Sequence, residues 1–502
     1  MTASVNDQQP MGNPQNQARA RLTADRQKRV VRTVFKNAGA QIVGHFLITV
    51  CKYGAYVFIF RFLGSERFGE YLLLLTLIAY GEIILDFGLT DMFIRDLSRA
   101  PEQKKELLAV MTEIKFVQTA IAYGLLILLL IALQYSREIV MAGLLAGVEF
   151  LFMGGVLVYR GLFRAALVME RGAATEVIST VSMVILLLGS LKMDMGIVGL
   201  MAVLVLSRLI FFVSCIYYGR DLMEPFALRW NARIMWDYFV RALPLGLAAV
   251  MVGIYQSLDL LMLSKMASWK DVGLYAAAYR FVLPLVMVPA ALMAALYPLL
   301  CSYWQRDMDK FRRLFQQGVN NVTVIGGAIF CVLMAGAEFF MGIFGPEAIK
   351  ASDALRVLAF AIAAMSLSVI MGPMFIVIQR QWLAFTFGLC GATVNAVLNI
   401  ILIPRYGYMG AAFATFATEI CVLVPAIYLI QRVSGYHSRW WILLQVAVPA
   451  VISTMVISRA DLNGSFLGAV VVLALYLAGC FLSGAIRISE ISILLKSIRG
   501  AT

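Results

Sequence analysis

The chain has 502 residues, 61% of them apolar and only 14% charged, with a mean hydropathy of +0.84 and a formal net charge of +13. A soluble chain carries about a quarter charged residues, so an ordinary water-soluble enzyme is excluded. Repeated apolar runs match the roughly 20 residues that cross a hydrocarbon core, and imply an all-α polytopic membrane protein; the alternating segments of an outer-membrane barrel do not occur.

Residues 1–36 start polar and turn basic. They are expected as a cytoplasmic, partly disordered tail whose basic stretch lies on the anionic inner leaflet. No apolar core precedes the basic run, which argues against a cleaved signal. Fourteen spans follow, at roughly 38–62, 69–91, 116–134, 139–159, 175–191, 196–218, 243–264, 273–300, 318–341, 353–378, 383–403, 409–430, 441–458 and 466–486. Alternate connections and the two ends collect 29 of the 42 Lys and Arg residues. That bias places both termini in the cytoplasm and makes the net charge an orientation signal, with no nucleic-acid partner expected. The predicted organisation is a tail (1–36), an N-lobe of six spans (37–220), a cytoplasmic inter-lobe linker (221–242), a C-lobe of six spans (243–432), and two last spans with a cytoplasmic C-terminus (433–502). No predicted outer loop is large enough for a catalytic domain. The seven cysteines stand singly, without metal-ligand spacing, so neither disulfides nor a metal site are expected.

An internal repeat relates the two lobes. "GSERFGEYLLLL" (64–75) and "SWKDVGLYAAAY" (268–279) both place Gly-x-Tyr at the opening of a span, aligning Gly69 and Tyr71 with Gly273 and Tyr275. "MGIVGLMAVLVLSR" (195–208) matches "YGYMGAAFATFATE" (406–419), which makes Arg208 the counterpart of Glu419. Both matches have the same polarity, so the halves are parallel repeats about an axis along the membrane normal. Pro284, Pro289 and Pro298 mark the eighth span as the one best able to flex.

Charges at membrane depth are costly and mark pairs or pathways. Lys52 and His45 share one face of the first span, as Glu82 and Asp86 share one face of the second, at similar depths. Two ion pairs across these spans are feasible, either as a static clasp or as a cation or proton site. Asp259 and Arg280 lie at equal depth in spans seven and eight and could pair; the planar fork of Arg280 also suits a phosphate. Glu149 is placed to partner Arg208, and Glu419 stands in the opposite lobe as a cavity-facing acid or a static partner. Together these groups predict a hydrated central cavity between the lobes.

Three blocks carry a resemblance: "RFLGSERFGEYLLLL…ILDFGLTDMFIRDLSR", "SLDLLMLSKMASWKDVGLYAAAYRF…ALYPLL" and "NAVLNIILIPRYGYMGAAFATFATE" with Asn395, Asn399, Pro404, Gly407 and Gly410. Over residues ~35–435 the chain resembles the polysaccharide transporter family of lipid-linked oligosaccharide flippases, within the multidrug/oligosaccharidyl-lipid/polysaccharide exporter superfamily. The resemblance implies two six-helix lobes, a central cavity and alternating access. It implies a non-enzymatic carrier of an undecaprenyl-pyrophosphate-linked sugar unit in a bacterial inner membrane, serving polysaccharide assembly alongside polymerase and export machinery. It assigns Arg280 to the substrate cavity, where Arg208 and Lys52 would add positive charge. No cofactor is implied beyond Na⁺ or H⁺ coupling. A multidrug/cation antiporter of the same superfamily and a non-transporting scaffold of an export machine are the competing readings.

Overall fold

The computed structural model describes residues 14–435 and 439–486, with side chains from Ile48 onward apart from those of Ala248 and Gln381. The first helix, α1 (Pro14–Asp86), is two arms joined at Gly64, whose φ of 75° and ψ of 177° interrupt the helix. The rings of Tyr56 and Phe68 stand 6.5 Å apart. A continuous helix would separate residues twelve apart by about 18 Å, so the chain turns back on itself at Gly64. Glycine takes that φ without the Cβ clash other residues meet. The second arm ends at Phe87 and Gly88, both with positive φ, and the short amphipathic α2 (Leu89–Arg99) leaves at an angle with Leu89, Met92, Phe93 and Leu97 buried.

The first lobe continues with α3 (Lys104–Ala132), α4 (Arg137–Gly147), α5 (Glu149–Ala165), α6 (Met169–Lys192) and α7 (Gly196–Gly219). The helices α4 and α5 are one span broken at Val148. The second lobe holds α8 (Ala232–Met266), α9 (Trp269–Tyr303), α10 (Met308–Phe344), α11 (Ser352–Val377), α12 (Gln381–Tyr406) and α13 (Tyr408–Ser434), and α14 (Trp441–Arg459) and α15 (Phe466–Leu482) pack beside α10. Eleven segments are long and apolar enough to cross a membrane, or twelve with the bent α8. The first of these, Ile48–Arg99, contains the Gly64 hairpin; separating its arms and adding the shorter α15 brings the described residues to the fourteen expected. Trp230, Trp236, Trp382 and Trp441 are all more than half exposed at the end of the bundle nearest the termini, where an interfacial aromatic belt would stand.

The lobes are joined by α1 packing on α8 and α9. At the end far from the termini, repeat-related Gly69 and Gly273 meet face to face: a Cβ on Gly69 would stand 2.9 Å from the Gly273 nitrogen, and one on Gly273 only 1.9 Å from the Ser65 carbonyl oxygen. Around this contact Phe60 and Phe68 of the first lobe interlock with Phe344 of the second at ring distances of 5.5 and 6.0 Å, and Phe281 adds a further contact to Phe344 at 5.5 Å. Each such pair contributes about 0.5–1.5 kcal/mol beyond its buried area. The Glu347 carboxylate, from the α10–α11 turn, accepts from the Ser65 amide (3.3 Å) and hydroxyl (2.7 Å), with Lys270 Nζ 3.9 Å away.

The chain between the lobes differs from the expected linker over 221–242: it is helical from Ala232, where Asn231 caps α8 through its side chain. The preceding segment is fastened to the first lobe. Buried Glu113 on α3 accepts from the amides of Arg229 (2.5 Å) and Trp230 (2.8 Å), and Lys104 pairs with Glu224 at 3.3 Å. The basic stretch of the tail belongs to α1 from Pro14, a helix where partial disorder is expected; residues 1–13 lie outside the described residues.

Candidate functional site

Three polar centres stand in the transmembrane region, one in each lobe's interior and one on the seam. In the first lobe, α7 presents Arg208 to two acids. Its Nε donates to Glu149 Oε2 on α5 (2.7 Å) and its Nη2 to Glu82 Oε1 on α1 (2.6 Å). The expected Arg208–Glu149 pair is therefore formed. Of the clasp expected between the first two spans, the Lys52–Glu82 pair is not formed among the described residues: a guanidinium fork holds two carboxylates at once, and Arg208 has taken Glu82. Asp86, the other acid of that clasp, accepts from the Thr90 hydroxyl at the start of α2. The side chain of His45 lies outside the described residues.

In the second lobe, Asp259 on α8 is buried and does not pair with Arg280. Its carboxylate is taken by neutral donors: Tyr275 Oη at 2.6 Å, Asn399 Nδ2 at 2.6 Å and Thr415 Oγ1 at 2.8 Å. Asn399 also donates to Asn395 Oδ1 (2.9 Å), one helical turn away on α12, while its own Oδ1 is buried without a partner. Turning this amide would aim Asn399 Oδ1 at the same point as Asp259 and Asn395 Oδ1. Carboxylate, amide and hydroxyl oxygens of this kind suit a hard cation. Higher on α13, buried Glu419 accepts from Tyr255 Oη and from Ser368 Oγ (3.1 Å), with no basic partner among the described residues. It is thus held within its own lobe, by α8 and α11.

On the seam, Arg280 of α9 lies over the Tyr56 ring of α1, 4.8 Å from its centroid. Neither it nor Lys52 has an ion-pair partner among the described residues; Arg280 is partly buried and Lys52 is exposed. Lys52 precedes Tyr56 by four residues, so both occupy one face of α1. A cation–π contact of this sort fixes a guanidinium's plane while leaving its N–H edge free to donate. The α9 segment that follows carries Pro284, Pro289 and Pro298 and exposes Met287, Val288 and Leu299.

Sequence reasoning missed two groups. Lys115 reads as a loop charge, yet it is buried on α3, donating to the Leu85 carbonyl and to Gln118 Oε1 (3.0 Å), while Gln118 donates to Ile84 O (2.8 Å). It caps the carbonyl end of α1 where Phe87 and Gly88 break the helix, as cations do at helix C-termini. Asn395, Asn399 and Thr415 belong to a quoted block, but their common depth with Asp259 was not drawn out; the i, i+4 spacing of two amides in an apolar span is the signal that finds them.

This fold, two pseudo-symmetric six-helix lobes with polar centres in and between them, is that of the multidrug/oligosaccharidyl-lipid/polysaccharide exporter class. It superposes on a lipid II flippase, MurJ, with a TM-score of 0.74 at 14% identity over 90% of this chain and 99% of that one. An inward-facing multidrug resistance MATE transporter gives 0.63 at 14% identity over 78% and 96%. The chain belongs to the family described as polysaccharide biosynthesis protein, whose model matches residues 34–304, and a second model, MatE, matches residues 244–401. Similar curated proteins are the probable flippase AglR of Haloferax volcanii, 30% identical over 173 residues (32% of this chain, 35% of that protein), and the probable low-salt glycan biosynthesis flippase Agl15 of the same organism, 24% identical over 208 residues (41% and 43%). An uncharacterised membrane protein of Methanocaldococcus jannaschii is 24% identical over 266 residues (50% and 52%). The chain thus spans between a third and about half the length of these relatives.

Proposed function

We propose that the protein is a flippase that carries a polyprenyl-pyrophosphate-linked oligosaccharide unit from the inner to the outer leaflet of a bacterial inner (plasma) membrane, delivering it to polysaccharide polymerase and export machinery. The observation that carries this reading is the unpaired Arg280 on Tyr56, with Lys52 on the same face, at the seam of two lobes. A pyrophosphate needs cations without carboxylate competitors, and Arg280 offers bidentate geometry. The glycan needs a wet seam, and the lipid tail needs a lateral opening beside proline-rich α9. In this reading both termini are cytoplasmic, as the basic bias indicates, and the Gly69–Gly273 contact closes the outer face. In this reading the protein is a carrier rather than an enzyme. We further propose that Na⁺ is the coupling ion and sits among Asp259, Asn395, Asn399 and Thr415, where a buried carboxylate has only neutral partners.

The test is transport of a fluorescent lipid-linked oligosaccharide in proteoliposomes. Wild type is expected to move it, Arg280→Ala to lose transport at normal expression, and Arg280→Lys to retain part of it. No transport by wild type with a matched substrate would sink the proposal.

A further inference from the structure

The first-lobe triad is unbalanced. Glu82 and Glu149 are two acids on one guanidinium, and Glu149 is fully buried with Oε1 bonded to nothing among the described residues. If both acids were ionised, the site would hold one net negative charge at membrane depth, where an uncompensated charge costs several kcal/mol.

The charged groups on the packed elements do not supply the balance. Glu176 on α6 is held by Arg160 of α5 at 3.3 Å, and Asp91 on α2 lies 3.7 Å from Arg164. Lys115 on α3 spends its ammonium on the Leu85 carbonyl and Gln118, and the carboxylate that acts on it is Asp86. At the far end of α4, Glu138 pairs with Arg67 (2.9 Å), which also holds Glu70. On α1 the exposed Lys52 pairs with neither acid among the described residues, and Tyr71 offers a buried neutral phenol. The compensating charge must therefore be a bound cation or a proton. A metal cation requires several oxygens around it. Among the described residues Glu149 Oε1 has no hydrogen-bond partner, and Thr119 on α3 spends its hydroxyl on the Phe150 carbonyl at 3.3 Å. Held at 2.6 and 2.7 Å on the Nη2 and Nε of one guanidinium, Glu82 and Glu149 are neighbours, the arrangement in which two carboxyl groups share one proton.

We propose that Glu82 and Glu149 form a proton-binding site, holding one proton between them against Arg208. Glu82, 28% exposed where Glu149 is closed off, is the end through which the proton enters and leaves. Loss of the proton leaves two anions on Arg208, which favours a rearrangement of α1, α5 and α7 that hydrates the site. The first lobe would then bind a proton where the second has oxygen ligands for a metal cation. Any link to glycolipid movement rests on the function proposed above; the proton site itself does not.

The test is infrared difference spectroscopy of the full chain in lipid nanodiscs, titrated from about pH 5 to about pH 9. In a Glu419→Gln/Asp259→Asn background, which removes the buried carboxyls of the second lobe, one protonated-carboxyl stretch per molecule is expected at neutral pH, lost on the alkaline side. Either Glu149→Gln or Glu82→Gln should abolish it, because each leaves one carboxylate balanced by Arg208. Both replacements are isosteric, and a cooperative melting transition in each variant would show that it folds. The proposal is overturned if that background lacks the stretch, or if the stretch persists when Glu82→Gln and Glu149→Gln are both added to it. An intact signal in a protein that moves no glycolipid would support the proton site and count against the carrier reading alone.

Discussion

Gly69 and Gly273, equivalent residues of the two halves, pack directly against one another at the end of the seam far from the termini. A repeat-related pair on a pseudo-two-fold axis must meet itself, and only residues without a Cβ allow this approach. Gly273→Ala would drive its new methyl into the Ser65 carbonyl, which no rotamer change relieves. Overpacking costs about 1–3 kcal/mol, so the closed-to-open ratio should fall by about fivefold or more. Spin labels at Glu66→Cys and Lys350→Cys in a background without native cysteines would report the lengthened distance; an unchanged distribution would refute the assignment of this contact as a closure.

Glu347 gives that closure a pH dependence. Hydrogen bonds from the Ser65 hydroxyl hold its carboxyl below the ordinary value of 4.5; partial burial opposes them, and the Ser65 amide and Lys270 add to the lowering. A depressed value means the closed form prefers the anion. Its contribution is complete above pH 4.5 and is lost as the pH falls below that. The group is partly exposed, so the effect is small. The same spin-label distance should lengthen on acidification in wild type, and Glu347→Gln should abolish the pH response.

Arg208 is more than a ligand for an anion. Removing it strands the negative charge held between Glu82 and Glu149, and breaking a buried pair costs about 3–5 kcal/mol. Arg208→Ala should therefore lower the melting temperature in detergent, and adding Glu82→Gln with Glu149→Gln should recover most of the loss. If Arg208→Ala is as stable as wild type, the triad does not hold α1, α5 and α7 together.

How much of this was legible in the sequence depends on what depth along a helix can convey. Spans, lobe boundaries and the repeat follow from apolar length and Gly-x-Tyr spacing, and the Arg208–Glu149 pair follows from matching depth. Depth says nothing about rotation, which is why Asp259 and Arg280, level with one another, face different neighbours: Asp259 turns into its own lobe toward Asn399 and Thr415, and Arg280 turns out to Tyr56. Glu82 has two cations within reach in sequence terms, and the fork geometry of Arg208 decides between them. Lys115 stayed hidden because the helix break at Phe87 and Gly88, which frees the Leu85 carbonyl it bonds, leaves no signature beyond a single glycine.

The Asp259 cluster predicts a cation effect that can be measured without substrate. A ligand at a hundred times its Kd stabilises by about 2.7 kcal/mol, so Na⁺ at constant ionic strength should raise the wild-type melting temperature. Asp259→Asn and Thr415→Val should flatten that response. A rise that survives Asp259→Asn would place the ion elsewhere.

Glu113 has a mechanical consequence. Because it grips the amides of Arg229 and Trp230, and Lys104 holds Glu224, the connecting segment travels with the first lobe. It is therefore not a slack leash along which a swing could be spread. The first turns of α8 are fastened there too, Tyr238 donating to Asp96 at 3.2 Å and Phe239 stacking on Phe87 at 5.2 Å, so the chain crosses between the lobes as an axle pin does, seated in the first before it enters the second.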